Sequence, residues 1–121
     1  MANLLLVDDD DRLRSMLTET LQELGWNVTS ASSGDEAKEL LERGSDFHTM
    51  ITDVRMPGML DGVALARFAQ RAHTTMKIVV ISGFLGADIN PVVSENLGSF
   101  LAKPFSMSRL AAALDPIQQV E

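Results

Sequence analysis

The feature that most constrains the fold is a regular alternation of short apolar runs and longer amphipathic stretches. Residues 4–7 form a continuous apolar run, which is typical of a buried strand. In the next stretch, apolar side chains recur at helical spacing, at Leu13, Met16, Leu17, Leu21 and Leu24. This order of strand and helix recurs five times. We therefore predict an α/β fold, a doubly wound five-stranded parallel sheet with helices on both faces.

Turn and cap residues set the expected boundaries of these elements. Strands are predicted at residues 4–7, 26–31, 48–52, 78–81 and 99–102. Gly25 and Gly44 stand where the first two helices should end, since glycine favours the position just past a helix. Ser33 and Glu36 have the spacing of a capping box, which indicates the start of the second helix.

Three further helices are predicted in the second half of the chain. A third helix is predicted over residues 61–72. The segment 83–98 is rich in glycine, asparagine and proline, so we expect one short or irregular helix near residues 91–97. Ser106 should cap the last helix, and Pro116 should end or kink it.

Length and charge narrow the classes of function. The chain has 121 residues and is expected to form one domain over residues 1–121. It carries 10 Lys+Arg against 17 Asp+Glu, a net charge of −7, and it has no basic run. Direct binding to nucleic acid is therefore not expected, whereas a cation or a basic protein partner suits this charge.

The cysteine count and the N-terminal sequence narrow the kinds of site and the cellular location that we expect. There is no cysteine, and hence no disulfide framework or thiolate metal site. His48 and His73 lie far apart in sequence and lack ligand spacing, so both are expected to be surface residues and not metal ligands. The first three residues include no basic stretch, and Asp8 ends the apolar run after them, which is typical of neither a signal peptide nor a membrane span. We expect a cytoplasmic protein that does not associate with membranes.

Polar side chains follow four of the predicted strands at the point where each strand ends. Asp8 begins a run of four aspartates after the first strand, Asp53 follows the third, Ser82 the fourth and Lys103 the fifth. In open α/β sheets, ligands bind at the carboxyl ends of the strands. The sequence therefore predicts one pocket that gathers carboxylates, a hydroxyl and an ammonium group.

Each of these residues also has a purely structural explanation. The acidic run favours a helix start by itself, and Asp10 or Asp11 is expected to serve as that cap. Asp53 could form a turn, Lys103 could be a surface lysine, and Ser82 could be a simple loop residue. Each of these explanations is plausible for one residue. Together they explain the pattern poorly, because all four positions fall in register at one edge of the sheet.

Four motifs in order resemble the response-regulator receiver family. They are Val7-Asp8-Asp9, Thr52-Asp53-Val54-Arg55-Met56-Pro57-Gly58, Ile81-Ser82-Gly83 and Lys103-Pro104-Phe105. The resemblance spans nearly the whole chain and implies a flavodoxin-like fold with strand order 2-1-3-4-5. It also implies a phosphoacceptor switch of two-component signalling, with no enzymatic activity beyond its own phosphorylation and dephosphorylation.

The resemblance assigns a role to each site residue. Asp53 would accept a phosphoryl group from a sensor histidine kinase or a histidine phosphotransfer protein. Mg²⁺ would be bound by Asp9, Asp53 and the backbone carbonyl of Arg55, while Asp8 would hold a water of the ion. Lys103 would neutralise a phosphoryl oxygen. Ser82 and Phe100 would act as the switch that signals to a downstream protein.

Departures from the family pattern and two rival functions bear on this reading. The loop at residues 57–61 is one residue longer than usual, and Phe100 replaces the commoner tyrosine. A phosphatase of the haloacid dehalogenase type would need an aspartate at position 55, where Arg55 stands. A flavodoxin-like cofactor module would need a phosphate cradle after the first strand, where four aspartates would repel a phosphate.

Overall fold

A computed structural model of the chain describes residues 2–44, 46–54, 56, 61–73, 75–83 and 90–114. Five parallel strands form one sheet in the order β2-β1-β3-β4-β5. The strands are β1 (Asn3–Val7), β2 (Asn27–Ala31), β3 (Thr49–Asp53), β4 (Lys77–Ser82) and β5 (Ser99–Ala102). The helices are α1 (Asp11–Glu23), α2 (Gly34–Glu42), α3 (Gly62–Ala72), α4 (Asn90–Ser94) and α5 (Met107–Leu114). The predicted fold class and strand order are confirmed.

The sheet is covered on both faces, so the core consists of two layers. Leu5 and Val7 point toward a cluster that contains the apolar side chains of α2, α3 and α4. Leu4 and Leu6 point the other way, toward apolar side chains of α1 and α5. Because successive side chains of a strand alternate between faces, a strand covered on both sides must be apolar throughout. This explains the continuous apolar run of β1.

The first two helices begin at side-chain caps. The carboxylate of Asp10 accepts hydrogen bonds from the backbone N–H groups of Arg12 and Leu13, at 3.0 and 3.2 Å. Ser33 caps α2 by accepting from the N–H of Glu36 at 3.1 Å. The Glu36 carboxylate in turn accepts a hydrogen bond from the N–H of Ser32 at 2.8 Å. The predicted capping box is therefore present, but its second bond involves the residue before the cap.

The fourth helix is shorter than predicted. It ends at Ser94 because Asn96 and Gly98 both have positive φ, at 54° and 147°, which an α-helix cannot continue through. A side chain at position 98 would also collide with the backbone carbonyl of Ile78 in β4, so this position requires glycine. Residues 84–89 and Pro116 lie outside the described residues.

Two side chains of α3 contact the backbone and side chain that follow α4. Arg67 donates through Nε and Nη2 to the two carboxylate oxygens of Glu95, at 2.8 and 2.6 Å. Gln70 donates to the backbone carbonyl of Asn96 at 2.8 Å. We call these contacts the α3–α4 tether, because they join the two helices at the end of α4.

The histidines are more enclosed than expected from the sequence. His48 accepts a hydrogen bond through Nδ1 from the backbone N–H of Asn3 at 3.0 Å, and Nε2 of His73 lies 3.3 Å from the carbonyl oxygen of Leu41. Both were predicted to lie at the surface, and both are instead partly buried with backbone partners. Within the described residues, no helix is long and apolar enough to cross a bilayer.

Candidate functional site

The carboxyl ends of the parallel strands bring the predicted site residues to one edge of the sheet. Asp8 follows β1, Asp53 is the last residue of β3, Ser82 is the last residue of β4, and Lys103 follows β5. The backbone N–H of Lys103 donates to the carbonyl of Ser82 at 2.8 Å, which fixes where the lysine leaves the sheet. The strand register thus creates the juxtaposition that the sequence predicted.

Three carboxylates converge at this edge. Asp8, Asp9 and Asp53 each offer an oxygen, and these oxygens all lie within 4.8 Å of one another. Asp8 is 1% exposed and Asp53 is 9% exposed, whereas Asp9 is open to solvent. The cluster is therefore anchored in the protein and accessible from one side.

Lys103 supplies the positive charge of the site. Its Nζ lies 3.2 Å from Oδ2 of Asp53 and forms both a hydrogen bond and an ion pair with it. The lysine side chain is partly exposed, while that of Asp53 is more enclosed. A group that arrives at Asp53 from solvent therefore meets the ammonium group beside it.

Asp8 is the least well compensated of the three carboxylates. Its Oδ1 accepts from the backbone N–H of Asp10 at 2.8 Å, but its buried Oδ2 has no hydrogen-bond partner in the part of the chain that the structure describes. Burial raises the pKa of Asp8 above its usual range; the Asp10 hydrogen bond opposes this, and the charge of Asp53 adds to it. An oxygen-lined site with excess negative charge and an unsatisfied buried oxygen fits a hard divalent cation.

The remaining predicted site residues are Arg55, Ser82 and Phe100. Arg55 and residues 57–60 of the longer loop lie outside the described residues. The side chain of Ser82 is buried at the end of β4. Phe100 lies on the edge strand β5 and is 41% exposed. The next residue, Leu101, is buried, so Phe100 lies on the opposite face of β5 from Leu101.

Two further residues near the site, Gly62 and Arg14, were not among the predicted site residues. A side chain at position 62 would collide with the backbone carbonyl of Asp53, so Gly62 allows α3 to begin directly against the end of β3. The Gly62 N–H donates to the carbonyl of Val54 at 2.8 Å. The second residue is Arg14, whose guanidinium donates to the backbone carbonyl of Asp8 at 2.7 Å. An aspartate–glycine pair at a helix start indicates the first, and only the structure indicates the second.

The curated relatives of this chain include a receiver protein and a sensor kinase. The chain is 34% identical over 116 residues to the response regulator receiver protein CpdR of Brucella abortus, covering 95% of this chain and 95% of CpdR. It is 36% identical over 115 residues to the sensor kinase CckA of the same organism, covering 93% of this chain and 12% of CckA. The chain thus spans nearly all of one relative and a small part of the other.

Solved structures share the fold along most of their length. A response regulator receiver protein from Sinorhizobium medicae has a TM-score of 0.87 and 31% identity, with 98% of this chain and 95% of that chain covered. The response regulator TrrA from Thermotoga maritima, solved with Mg²⁺–BeF, has a TM-score of 0.82 and 25% identity, with 94% of this chain and 96% of that chain covered. A response regulator from Burkholderia pseudomallei was solved with a phosphorylated aspartic acid and a calcium ion. It has a TM-score of 0.85 and 25% identity, with 98% of this chain and 69% of that chain covered.

The family comparison covers the same elements that build the site. The sequence profile of the family described as the response regulator receiver domain matches residues 4–115, from β1 to the residue after α5. All four strand ends that carry Asp8, Asp53, Ser82 and Lys103 fall within this match. The chain belongs to the response regulator receiver domains of two-component signalling.

Proposed function

We propose that this receiver domain is a phosphoacceptor switch in which Asp53 receives a phosphoryl group from a sensor histidine kinase or a histidine phosphotransfer protein. The observation that carries the proposal is the convergence of three carboxylates within 4.8 Å, with Lys103 3.2 Å from Asp53. The phosphorylated aspartic acid of the Burkholderia pseudomallei response regulator and the beryllium fluoride complex of TrrA support it.

The reaction needs a carboxylate nucleophile and charge neutralisation. An oxygen of the Asp53 carboxylate attacks phosphorus, a new O–P bond forms, and the P–N bond of the phosphohistidine breaks so that its electron pair returns to the imidazole. Lys103 places its ammonium group beside Asp53, where it neutralises an oxygen of the transferring group as a point charge. Positioning and electrostatics supply most of the catalysis in phosphoryl transfer.

Mg²⁺ is the proposed cofactor. Asp9 and Asp53 would bind it directly, and Asp8 would hold it through a water, which would also satisfy the buried Oδ2. The backbone carbonyl of Arg55, outside the described residues, is the further predicted ligand. When bound, the ion adds the divalent charge that offsets the phosphoryl oxygens. TrrA contains Mg²⁺ in its complex, which supports this assignment.

The proposed output is a contact with a downstream protein. Ser82, at the end of β4, would turn its hydroxyl to the phosphoryl group, and Phe100 would move from solvent toward the space released on β5. Phe100 is an exposed aromatic side chain on an edge strand, so it has room to move. The cytoplasmic location expected from the sequence stays a prediction.

Labelling of Asp53 tests the proposed function. Incubation with acetyl phosphate and Mg²⁺ should add one phosphoryl group, measured by intact mass, and Asp53→Asn should abolish the addition. Asp46→Asn is the matched control, because Asp46 is exposed and lies before β3, away from the site edge. Undiminished labelling of Asp53→Asn would overturn the assignment.

A further inference from the structure

Arg14 reaches back from α1 to the loop that carries the acidic pair. It is the fourth residue of the helix, and its side chain is 20% exposed. Nη1 donates to the backbone carbonyl of Asp8 at 2.7 Å, and Nη2 donates to the carboxylate of Asp11 at 2.6 Å. One guanidinium thus contacts both the end of β1 and the beginning of α1.

The carbonyl that Arg14 binds belongs to the peptide group between Asp8 and Asp9. A peptide group is planar, so holding its oxygen fixes the torsion angles on both sides of it. Those angles determine where the carboxylates of Asp8 and Asp9 point. The β1–α1 loop, residues 8–10, is held further by the bond from the Asp8 N–H to the carbonyl of Ala31 at 3.2 Å and by the bond from the Asp10 N–H to Asp8 Oδ1 at 2.8 Å.

We propose that Arg14 is a positioning residue that sets the geometry of the Asp8–Asp9 pair for Mg²⁺. The inference rests on the proposed function, because it concerns the same cation. The guanidinium is suited to this role because its planar fork can donate to two acceptors at once, which the single ammonium group of a lysine does with less directional control. Partners that orient ligand groups affect metal affinity even though they do not touch the metal.

The positive charge of Arg14 should weaken Mg²⁺ binding, whereas its positioning role should strengthen it. A fixed positive charge near the site repels a cation, so its removal by itself should strengthen Mg²⁺ binding. Loss of positioning should weaken binding. The sign of the change in Mg²⁺ affinity therefore separates the two effects, and Arg14→Lys keeps the charge while it disrupts the fork.

The test compares Arg14→Met and Arg14→Lys with Arg12→Met, all as the full chain. Arg12 is exposed on the first turn of the same helix and makes the matched control for loss of one positive charge. We expect the Mg²⁺ dissociation constant, measured by calorimetry at fixed ionic strength, to rise about tenfold in both Arg14 variants. In Arg12→Met it should stay the same or fall slightly.

Two further measurements distinguish positioning from loss of stability. The rate of phosphorylation by acetyl phosphate should fall in the Arg14 variants at low Mg²⁺ concentration, and saturating Mg²⁺ should reduce this loss, because the ion restores the loop geometry. In the absence of metal, the backbone amide of Asp10 should exchange its hydrogen faster in Arg14→Met than in Arg12→Met, because the acceptor carboxylate of Asp8 is then less well placed. If Arg14→Met does not fold, Arg14→Lys provides both measurements.

The outcomes separate this inference from the proposed function. Unchanged or tighter Mg²⁺ binding in the Arg14 variants, with normal binding in the unaltered chain, overturns the role of Arg14 alone. Failure of the unaltered chain to bind Mg²⁺ overturns the proposed cofactor and this inference together. Weaker binding in both Arg14 variants with normal binding in Arg12→Met supports it.

Discussion

At the scale of single residues, the site depends on backbone atoms as much as on charged side chains. Gly62 lies so close to the carbonyl of Asp53 that no side chain fits between α3 and β3. The end of β3 is in turn fixed by the N–H of Val54, which donates to the carbonyl of Ile81 at 2.9 Å. The backbone that carries Asp53 is thus enclosed by β4 and α3, which limits how far the carboxylate can move.

We expect Gly62→Ala to weaken the fold and slow phosphorylation. Its new methyl group overlaps the Asp53 carbonyl, so α3 or the end of β3 must shift, at a cost of about 1–3 kcal/mol in the free energy of unfolding. Urea unfolding and acetyl phosphate labelling measure the two effects. Gly83→Ala is the control, since the described residues leave open space around that position. Equal stability of the two variants would contradict the close packing.

At the scale of elements, the sequence pattern predicted those features that follow from local chemistry. The apolar run of β1, the caps at Asp10 and Ser33 and the glycines after α1 and α2 were predictable because each depends on a few neighbouring residues. The end of α4 was not, because it depends on the backbone angles of Asn96 and Gly98.

The site was predictable only in part, for a related reason. Strand ends of a parallel sheet must meet at one edge, which brought Asp8, Asp53 and Lys103 together in the sequence prediction. Arg14 was missed because its partner is a backbone carbonyl, which has no sequence pattern. The exposed fraction of Phe100 could not be predicted, because apolar character alone does not distinguish an edge strand from a central one.

The cap of α2 should make stability depend on acid pH. The backbone N–H and the hydroxyl of Ser32 donate hydrogen bonds to the Glu36 carboxylate, and these bonds hold the pKa of Glu36 below its ordinary value of 4.5. A carboxyl group with a lowered pKa stabilises the fold above the unfolded-state pKa, and this contribution is lost as the pH falls through the folded-state pKa. Glu36→Gln should therefore reduce the free energy of unfolding near pH 7 and have little effect below the folded-state pKa.

The expected loss near pH 7 is on the order of 0.5 kcal/mol, at the low end for helix caps, because Glu36 is exposed and its charge is screened. Urea unfolding at several pH values measures it. Glu39→Gln, an exposed substitution on the same helix, should produce a smaller change near pH 7. A constant difference between Glu36→Gln and the unaltered chain at all pH values would argue against the cap as the cause.

At the scale of the whole molecule, we expect Mg²⁺ to stabilise the fold. The three clustered carboxylates repel one another, and a cation that binds only the folded state raises its stability by mass action. The gain is about 2.7 kcal/mol at a hundred times the dissociation constant. Thermal unfolding with and without millimolar Mg²⁺ should show a higher melting temperature with the ion.

Substitution of one proposed ligand tests where the ion binds. The rise in melting temperature should shrink sharply in Asp9→Asn and stay unchanged in Asp46→Asn, which removes the same charge far from the site edge. Equal rises in the unaltered chain and in Asp9→Asn would mean that the ion binds elsewhere.

Phosphorylation should alter one face of the molecule more than the rest. Beryllofluoride, as a substitute for the phosphoryl group, should change hydrogen exchange over residues 84–105 and leave α1 nearly unchanged. The reason is that Ser82 and Phe100 lie on neighbouring strands, and Ser82 pairs in register with Ala102, two residues from Phe100. Changes confined to the loops of Asp9 and Asp53 would show that the pocket does not drive this face.

The α3–α4 tether sets a limit on how firmly the resting position of α4 is held. Its ion pair is bidentate, but the Arg67 and Glu95 side chains are 41% and 42% exposed, and solvent screens such pairs so that they contribute little to stability. Gln70 adds a single exposed hydrogen bond. The tether can therefore favour one orientation of α4, while most of the stability of that helix comes from the buried side chain of Val92. Surface substitutions at Arg67 or Glu95 should therefore change the preferred orientation of α4 while they leave the core and the acidic pocket untouched.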